Sequence, residues 1–327
     1  MKVLYIGESS GLGTGYGVYA YEILSRLVRM GYDVCELGVV TKPAKRAWKY
    51  VDNGPTQEHA DIWDKNPKNK QGALKFERTL IDFKPDVCFS CRDVWIDEFI
   101  INSPLRNHFK TFCMTTCDAA PQRDEWIDIL SRFDGVLTYT EYAAKLLRSS
   151  GLKVVGQAPP AYPATFIPNR EEARRWAGIP KDAKVIGMVG RNGPRKLIGE
   201  LIRAFGRSNE CDYLYLHTGA YGAWDIPRHL QECGRADRVL FTYTCKCGWA
   251  KPLTYKGNKL RCSCGGEASM SETNTGAIEQ SLMPKVYSVM DVYAQISTNE
   301  GFGLPVVEAA ACGARICGIG HGATEEV

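Results

Sequence analysis

The segment Ser297-Thr-Asn-Glu-Gly-Phe-Gly-Leu-Pro-Val-Val-Glu-Ala-Ala-Ala-Cys-Gly-Ala314 says most about the architecture of this chain. Before it, Val292 to Ile296 has the β-branched and aromatic character of a short buried strand. After it, Val306 to Cys312 is a run of good helix formers closed by Gly313. Strand, glycine-bearing turn and helix therefore follow one another. Pro305 has no N–H to leave unpaired, so the spacing predicts a helix beginning at Leu304 or Pro305, with unpartnered amides from Gly303 to Val307. Those amides and the positive end of the helix dipole predict an anion site, and the glycines admit a phosphate close to the backbone.

Glu300 falls in the turn and Glu308 about one turn into the helix, so both can border one crevice. Carboxylates accept hydroxyl groups and repel a bare phosphate; a sugar carried on a nucleotide diphosphate satisfies amides and acids together. The string from Glu300 to Gly313 resembles the two-glutamate donor motif of retaining glycosyltransferases with the GT-B fold, family 4 especially. That resemblance implies that Gly301, Phe302, Gly303 and Leu304 lie against the donor, with Glu300 on its sugar and Glu308 on its ribose. A capped helix with two surface glutamates is the plainer alternative, which so long a pattern disfavours.

A chain of 327 residues can hold two domains of ordinary size, and 44% hydrophobic with 24% charged residues is a globular composition. The formal charge of +4, without a dense basic run, gives no strong nucleic-acid signal. No apolar run reaches membrane-spanning length, and Met1 to Ile6 leads into a glycine turn with no cleavage signal, so a cytoplasmic protein is expected. Of thirteen cysteines, Cys35, Cys88, Cys113 and Cys211 stand singly in apolar surroundings, as reduced core thiols do.

Val3 to Ile6, a glycine loop from Gly7 to Gly17 and a helical pattern from Val18 to Met30 open a doubly wound α/β domain. The alternating glycines do not follow the Gly-x-Gly-x-x-Gly spacing, and Glu36 is a candidate for the acidic partner such a fingerprint needs. The family resemblance implies that Gly13, Thr14, Gly15 and Tyr16 reach toward donor phosphates and acceptor; a flexible turn is the alternative. Thr41 to Gly72 lacks periodicity and reads as a lid or insert. Strand ends line the crevice of an open α/β sheet, which places Asp118, after a strand within His108 to Thr116, where chemistry would occur. By resemblance Asp118 lies beside the transferred sugar; otherwise it caps the helix around Glu125 to Phe133. Prolines crowding residues 159–169 mark a linker between an acceptor-side Rossmann-like domain, 1–158, and a donor domain, 170–327.

In that second domain a strand, Lys184 to Val189, leads through Gly190-Arg-Asn-Gly-Pro-Arg-Lys196 into a helix from Leu197 to Arg207. Arg191 can chelate phosphate oxygens in a planar fork and Lys196 can act as a point charge, each contact worth about 1.5–3 kcal/mol. The resemblance gives the same pair to the donor diphosphate; a solvated basic turn is the alternative. His217, at another strand end, either contacts the donor or is satisfied where it stands.

Cys245-Lys-Cys-Gly and Cys262-Ser-Cys-Gly form two similar turns within residues 243–270. Paired cysteines followed by glycine predict the two knuckles of a zinc-ribbon-like insertion, with Cys245, Cys247, Cys262 and Cys264 around a structural Zn²⁺; two disulfides or free thiols are the alternatives. Four protein ligands leave no open position, so no catalytic metal is expected. After Gly313 the chain adds a strand and a glycine loop, short of a complete second GT-B domain, and a truncated C-terminus is expected. The protein so described is α/β, with two Rossmann-like doubly wound domains, the second incomplete. It resembles a retaining hexosyltransferase that moves a sugar from a nucleotide-diphosphate sugar to a hydroxyl of a glycan, lipid or protein acceptor. Arg191 and Lys196 would neutralise the leaving diphosphate. A GT-B phosphorylase or epimerase, and a non-catalytic module that recruits a partner through its ribbon, are the competing functions.

Overall fold

The computed structural model describes residues 1–39, 46–52, 73–162, 164–270 and 278–327. These divide into two compact units, 1–160 and 161–325. In the first, strands β1 (Lys2–Glu8), β2 (Asp33–Val39), β3 (Lys49–Asp52), β4 (Val87–Cys91), β5 (Lys110–Thr115), β6 (Gly135–Thr138) and β7 (Val154–Gln157) alternate with helices α1 (Gly15–Arg29), α2 (Ala73–Phe83), α3 (Glu98–Ile101), α4 (Asp124–Ser131) and α5 (Glu141–Ser149). The sheet order is β3-β2-β1-β4-β5-β6-β7, parallel throughout. Helices on both faces explain why Val3, Leu4, Tyr5 and Ile6 are all buried and read as an unbroken apolar run.

One expectation fails here. The stretch from Thr41 to Gly72 is not wholly irregular, because Lys49–Asp52 pairs in parallel with β2 from Cys35↔Lys49 to Gly38↔Asp52. Four residues with two charges carry too little pattern to announce a strand; an existing sheet edge supplies the partner. Residues 41–45 and 53–72 of that segment lie outside the described residues.

The second unit contains α6 (Arg170–Ala177), β8 (Val185–Val189), α7 (Ile198–Arg207), β9 (Tyr213–His217), α8 (Ile226–Cys233), β10 (Val239–Cys245), β11 (Ala250–Thr254), β12 (Lys259–Arg261), β13 (Glu267–Met270), α9 (Met283–Ser288), β14 (Val292–Gln295), α10 (Leu304–Ala311) and β15 (Arg315–Gly318). Strands β10-β9-β8-β14-β15 are parallel, and the short strands β11, β13 and β12 join antiparallel at the β10 side. A core of Tyr215, Tyr287, Tyr293, Val286, Val306 and Ala309 fills one face, and Ile198, Ile202, Phe205, Leu214 and Phe241 fill the other. In each unit the strand order reverses at one place, between β1 and β4 and between β8 and β14. Ligands of open α/β sheets bind outside the carboxyl ends of strands at such reversals.

Candidate functional site

At the second reversal, β8 runs into residues 190–196 and its hydrogen-bonded neighbour β14 into residues 297–303. Two turns 104 residues apart in sequence thus emerge side by side. Lys196 Nζ forms an ion pair with Glu300 Oε1, and Arg195 pairs with Glu300 Oε2 at 2.7 Å. Gln295 Nε2 also donates to Glu300 Oε1 at 2.8 Å, and the Thr298 amide bonds to the Arg195 carbonyl at 2.9 Å. Glu300 and Lys196 are 7% and 8% exposed. Burial alone would raise the Glu300 carboxyl, but Lys196 and Arg195 outweigh it and hold the group below its ordinary value. Burial pulls Lys196 below the usual lysine range, with Glu300 opposing and Arg195 adding to the pull. The result is a buried carboxylate between two cations, beside the half-buried Gly301 and Phe302.

Arg195 is the residue that sequence reasoning passed over. Arg191, chosen in its place, is exposed and makes no side-chain ion pair among the described residues, leaving its guanidinium open to an incoming anion. Both arginines were visible in the turn, but which one turns inward depends on a 3-10 turn, Pro194–Lys196, and on Leu197 at φ +52°, ahead of a helix that starts at Ile198.

The helix start at Gly303 and Leu304 has Gly303 at φ +90°, where only glycine is unstrained, and Pro305 in its first turn. The row of open amides is shorter than expected, since the Val306 amide already bonds to Gly303 O at 2.8 Å. Glu308, buried on α10, accepts from the Tyr287 hydroxyl at 2.6 Å, and burial pushes its carboxyl up to about 7 against that bond. The two acids are not in contact. Both act on the buried Tyr293, which donates to Val189 O at 3.1 Å. His217 is closed off at 1% exposure, with Nδ1 2.9 Å from Thr242 Oγ1, and burial lowers it to about 4; it is the satisfied strand-end histidine.

The insertion brings the Sγ atoms of Cys245, Cys247, Cys262 and Cys264 within 4.8 Å of one another. Cys245 and Cys264 are 3.6 Å apart and Cys247 and Cys262 3.7 Å apart, too far for disulfides. Four thiolates about 2.3 Å from one tetrahedral ion would be about 3.8 Å apart, so the cluster fits such an ion. Gly248 and Gly265, at φ +87° and +83°, close the two knuckles by donating to Cys245 O and Cys262 O. The Cys264 backbone amide, with the neighbouring thiols, draws Cys262 down to about 7.

In the first unit, Thr14 caps α1 by accepting from the Gly17 amide at 3.0 Å, and its hydroxyl donates to Glu8. A Cβ at Gly13 or Gly15 would meet nothing within 4 Å, whereas one at Gly17 would lie 2.5 Å from Leu12 O. The loop thus faces open space at its tip and packs tightly at its base. Tyr16 donates to Asp93 at 3.2 Å and lies 3.5 Å from Thr116. Burial raises Asp93 to about 6, with Tyr16 opposing and Glu8 and Asp118 adding to it. Asp118 is half-buried near Asp93 and does not cap α4, which begins at Asp124 with Arg123 at the cap position. Asp93 gave no signal in the sequence because its partners come from β1, α1 and the end of β5. Glu36 is fully buried and accepts from Ser10 N, Ser10 Oγ and Trp48 Nε1 at 2.7–2.8 Å, so it anchors the glycine loop, and its burial closes it off from a ribose. A cavity of about 720 Å³ lies at the opposite, amino ends of β4 and β5, where Arg106 and Lys110 are spent on Asp134.

The chain superposes on sucrose-phosphate synthase from Thermosynechococcus elongatus over 97% of its own length and 80% of that chain, with a TM-score of 0.70 and 18% identity. It has the GT-B glycosyltransferase fold. The GT-B likeness extends to HepE from Anabaena, solved with UDP and glucose, at TM-score 0.67, 14% identity and coverage of 100% and 82%. It extends also to WaaG, a glycosyltransferase involved in lipopolysaccharide biosynthesis, at TM-score 0.65, 12% identity and coverage of 99% and 84%. In sequence, 202 residues are 29% identical to the D-inositol 3-phosphate glycosyltransferase of Stackebrandtia nassauensis; the match takes in 57% of this chain and 38% of that relative's length. No known family profile matches the chain. Among the described residues no helix is long and apolar enough to cross a membrane.

Proposed function

We propose that this GT-B protein is a retaining glycosyltransferase that moves a hexosyl group from a nucleotide-diphosphate sugar to an acceptor hydroxyl. The observation that carries the proposal is the buried Lys196–Glu300 pair, with the exposed Arg195 also bonded to Glu300, beside the start of α10 at the strand-order reversal of the second unit. As the bond from the anomeric carbon to the β-phosphate oxygen breaks, negative charge grows on the diphosphate. Arg191, Arg195, Lys196 and the amides of Gly303 and Leu304 supply fixed positive charge and dipoles there. Glu300 accepts from the donor sugar and Glu308 from the ribose, both being acceptors once ionised. Gly13, Thr14, Gly15 and Asp118, with Asp93, are assigned to the acceptor. The acceptor is a glycan, lipid or protein hydroxyl, and the buried, unpaired thiols of the first unit suit a reducing cytoplasm.

Cys245, Cys247, Cys262 and Cys264 hold a structural Zn²⁺ in this account. Metal in that position fixes the fold of an insertion too small for its own core.

HepE was solved with UDP-glucose, which makes that the first donor to try. UDP-, GDP- and ADP-sugars are screened by thermal shift, and the donor that raises the melting temperature is then followed by NMR for release of nucleoside diphosphate and for anomeric configuration of the product. No shift with any donor overturns the proposal; an inverted product overturns its stereochemistry.

A further inference from the structure

The turn carrying Arg191, Arg195 and Lys196 has little regular structure of its own beyond one 3-10 turn. Its order comes from residues 218–225, the loop that leaves β9. Asn192, 3% exposed, donates from Nδ2 to Trp224 O and accepts at Oδ1 from the Trp224 amide, both at 3.0 Å. Trp224 Nε1 donates to Gly193 O at 3.1 Å, and the Ala223 amide to Asn192 O at 3.0 Å. Four hydrogen bonds thus bind two consecutive residues of the turn to two of the loop. The approach is so close that a Cβ on Gly222, at φ +155°, would lie 2.0 Å from Asn192 O.

The same loop meets the four-cysteine insertion. Along β10, β11 pairs with Leu240–Thr244, β9 with Val239–Phe241 and β13 with Tyr243–Cys245. Because β11 overlaps both of the others, β9 and β13 must share the opposite edge, and β13, running antiparallel, ends at Met270 just past the carboxyl end of β9. The insertion therefore stands directly beyond the carboxyl end of β9, at the root of the loop. Ala220 and Trp224 of the loop and Trp249, Leu253, Tyr255 and Leu260 of the insertion all pack against the core that holds Phe241 and Tyr243, and Tyr221 and Asp225 of the loop lie close enough to Tyr255 of the insertion to act on its hydroxyl. Trp249 and Leu260 in turn pack against Cys245 and Cys262.

We infer that residues 218–225 form a strut through which the four-cysteine insertion holds the diphosphate-binding turn in place, with Asn192 and Trp224 as its positioning residues. This rests on the donor assignment above. The insertion then acts on donor affinity from within the chain, and the metal at its cysteines sets how firmly Arg191, Arg195 and Lys196 are presented. Among the described residues no hydrogen bond or ion pair links the strut to Glu308, which bonds to Tyr287, so loss of the strut is expected to fall on phosphate contacts.

The full chain, as isolated with its metal, is titrated by calorimetry with UDP, GDP and ADP, and the corresponding nucleoside is followed by ligand-detected NMR. Asn192→Ala is expected to weaken the best-bound diphosphate about tenfold, and Trp224→Phe, which keeps an aromatic side chain but removes the bond to Gly193 and part of the indole's packing, about threefold to fivefold. The nucleoside should bind as before in both, and stripping the metal from the unsubstituted protein should reproduce the selective loss. Trp224→Phe carries the test if Asn192→Ala does not fold. Unchanged diphosphate binding in the folded variants, or equal loss of diphosphate and nucleoside, overturns the inference while leaving the donor assignment standing. Failure of the unsubstituted protein to bind any of the three diphosphates overturns both.

Discussion

Glu300→Gln separates a carboxylate that serves the sugar from one that merely neutralises cations. In the free protein Glu300 is nearly buried and compensates Lys196, which is equally buried. Breaking a buried ion pair from one side costs about 3–5 kcal/mol. Here Arg195, with its side chain 43% exposed, keeps access to water, and the new amide still accepts one hydrogen bond, so a loss of roughly 2–3 kcal/mol is expected. For a domain of this size that lowers the melting temperature by about 5–10 °C. Bare nucleoside diphosphate should respond the other way. Its phosphates meet Lys196 and Arg195 without first displacing Glu300, so its affinity should hold or rise by up to about tenfold, as one charge-assisted contact allows. Turnover of the nucleotide sugar should fall by about a hundredfold or more, since the variant loses an acceptor that strengthens as charge develops. Calorimetry with the diphosphate, set beside rates with its sugar, reads both signs. A diphosphate affinity that falls in step with turnover would refute the reasoning, because Glu300 would then be holding the cations in place and not competing for them.

Three further outcomes follow from the same geometry. Glu308, raised to about 7 from 4.5, favours the fold fully at low pH and loses that contribution as pH climbs from about 4.5 through 7, a change of about 3 kcal/mol. Urea unfolding at several pH values should show this slope in the unsubstituted protein and not in Glu308→Gln, and parallel slopes would contradict it. Arg191→Ala should leave stability within about 0.5 kcal/mol, the side chain being exposed, yet weaken nucleoside diphosphate about tenfold or more by calorimetry. Denaturing the purified protein should release about one zinc per chain with all four insertion cysteines reactive to thiol reagents, and chelation should unfold residues 243–270; thiols locked in disulfides would exclude the metal.

Much of this was legible in the residues. The strand, turn and helix around Glu300 could be read because β propensity, glycine at a left-handed position and proline in a first helical turn act over about ten residues. The two cysteine knuckles were legible for the same reason, their geometry being set by two short turns. What tertiary structure alone decided is which distant side chains meet. Lys196 and Arg195 reach Glu300 only because β8 and β14 are neighbours at a reversal of strand order, and nothing local to either turn encodes that adjacency. Asp93 becomes a raised carboxyl through Tyr16, Glu36 an anchored one through Ser10 and Trp48, and Asn192 a clamp on Trp224, with partners from 12 to 77 residues away. Periodicity and turn chemistry fix where an element starts and which face it buries. The charges and hydrogen bonds that make a site are fixed by the order in which those elements are laid side by side.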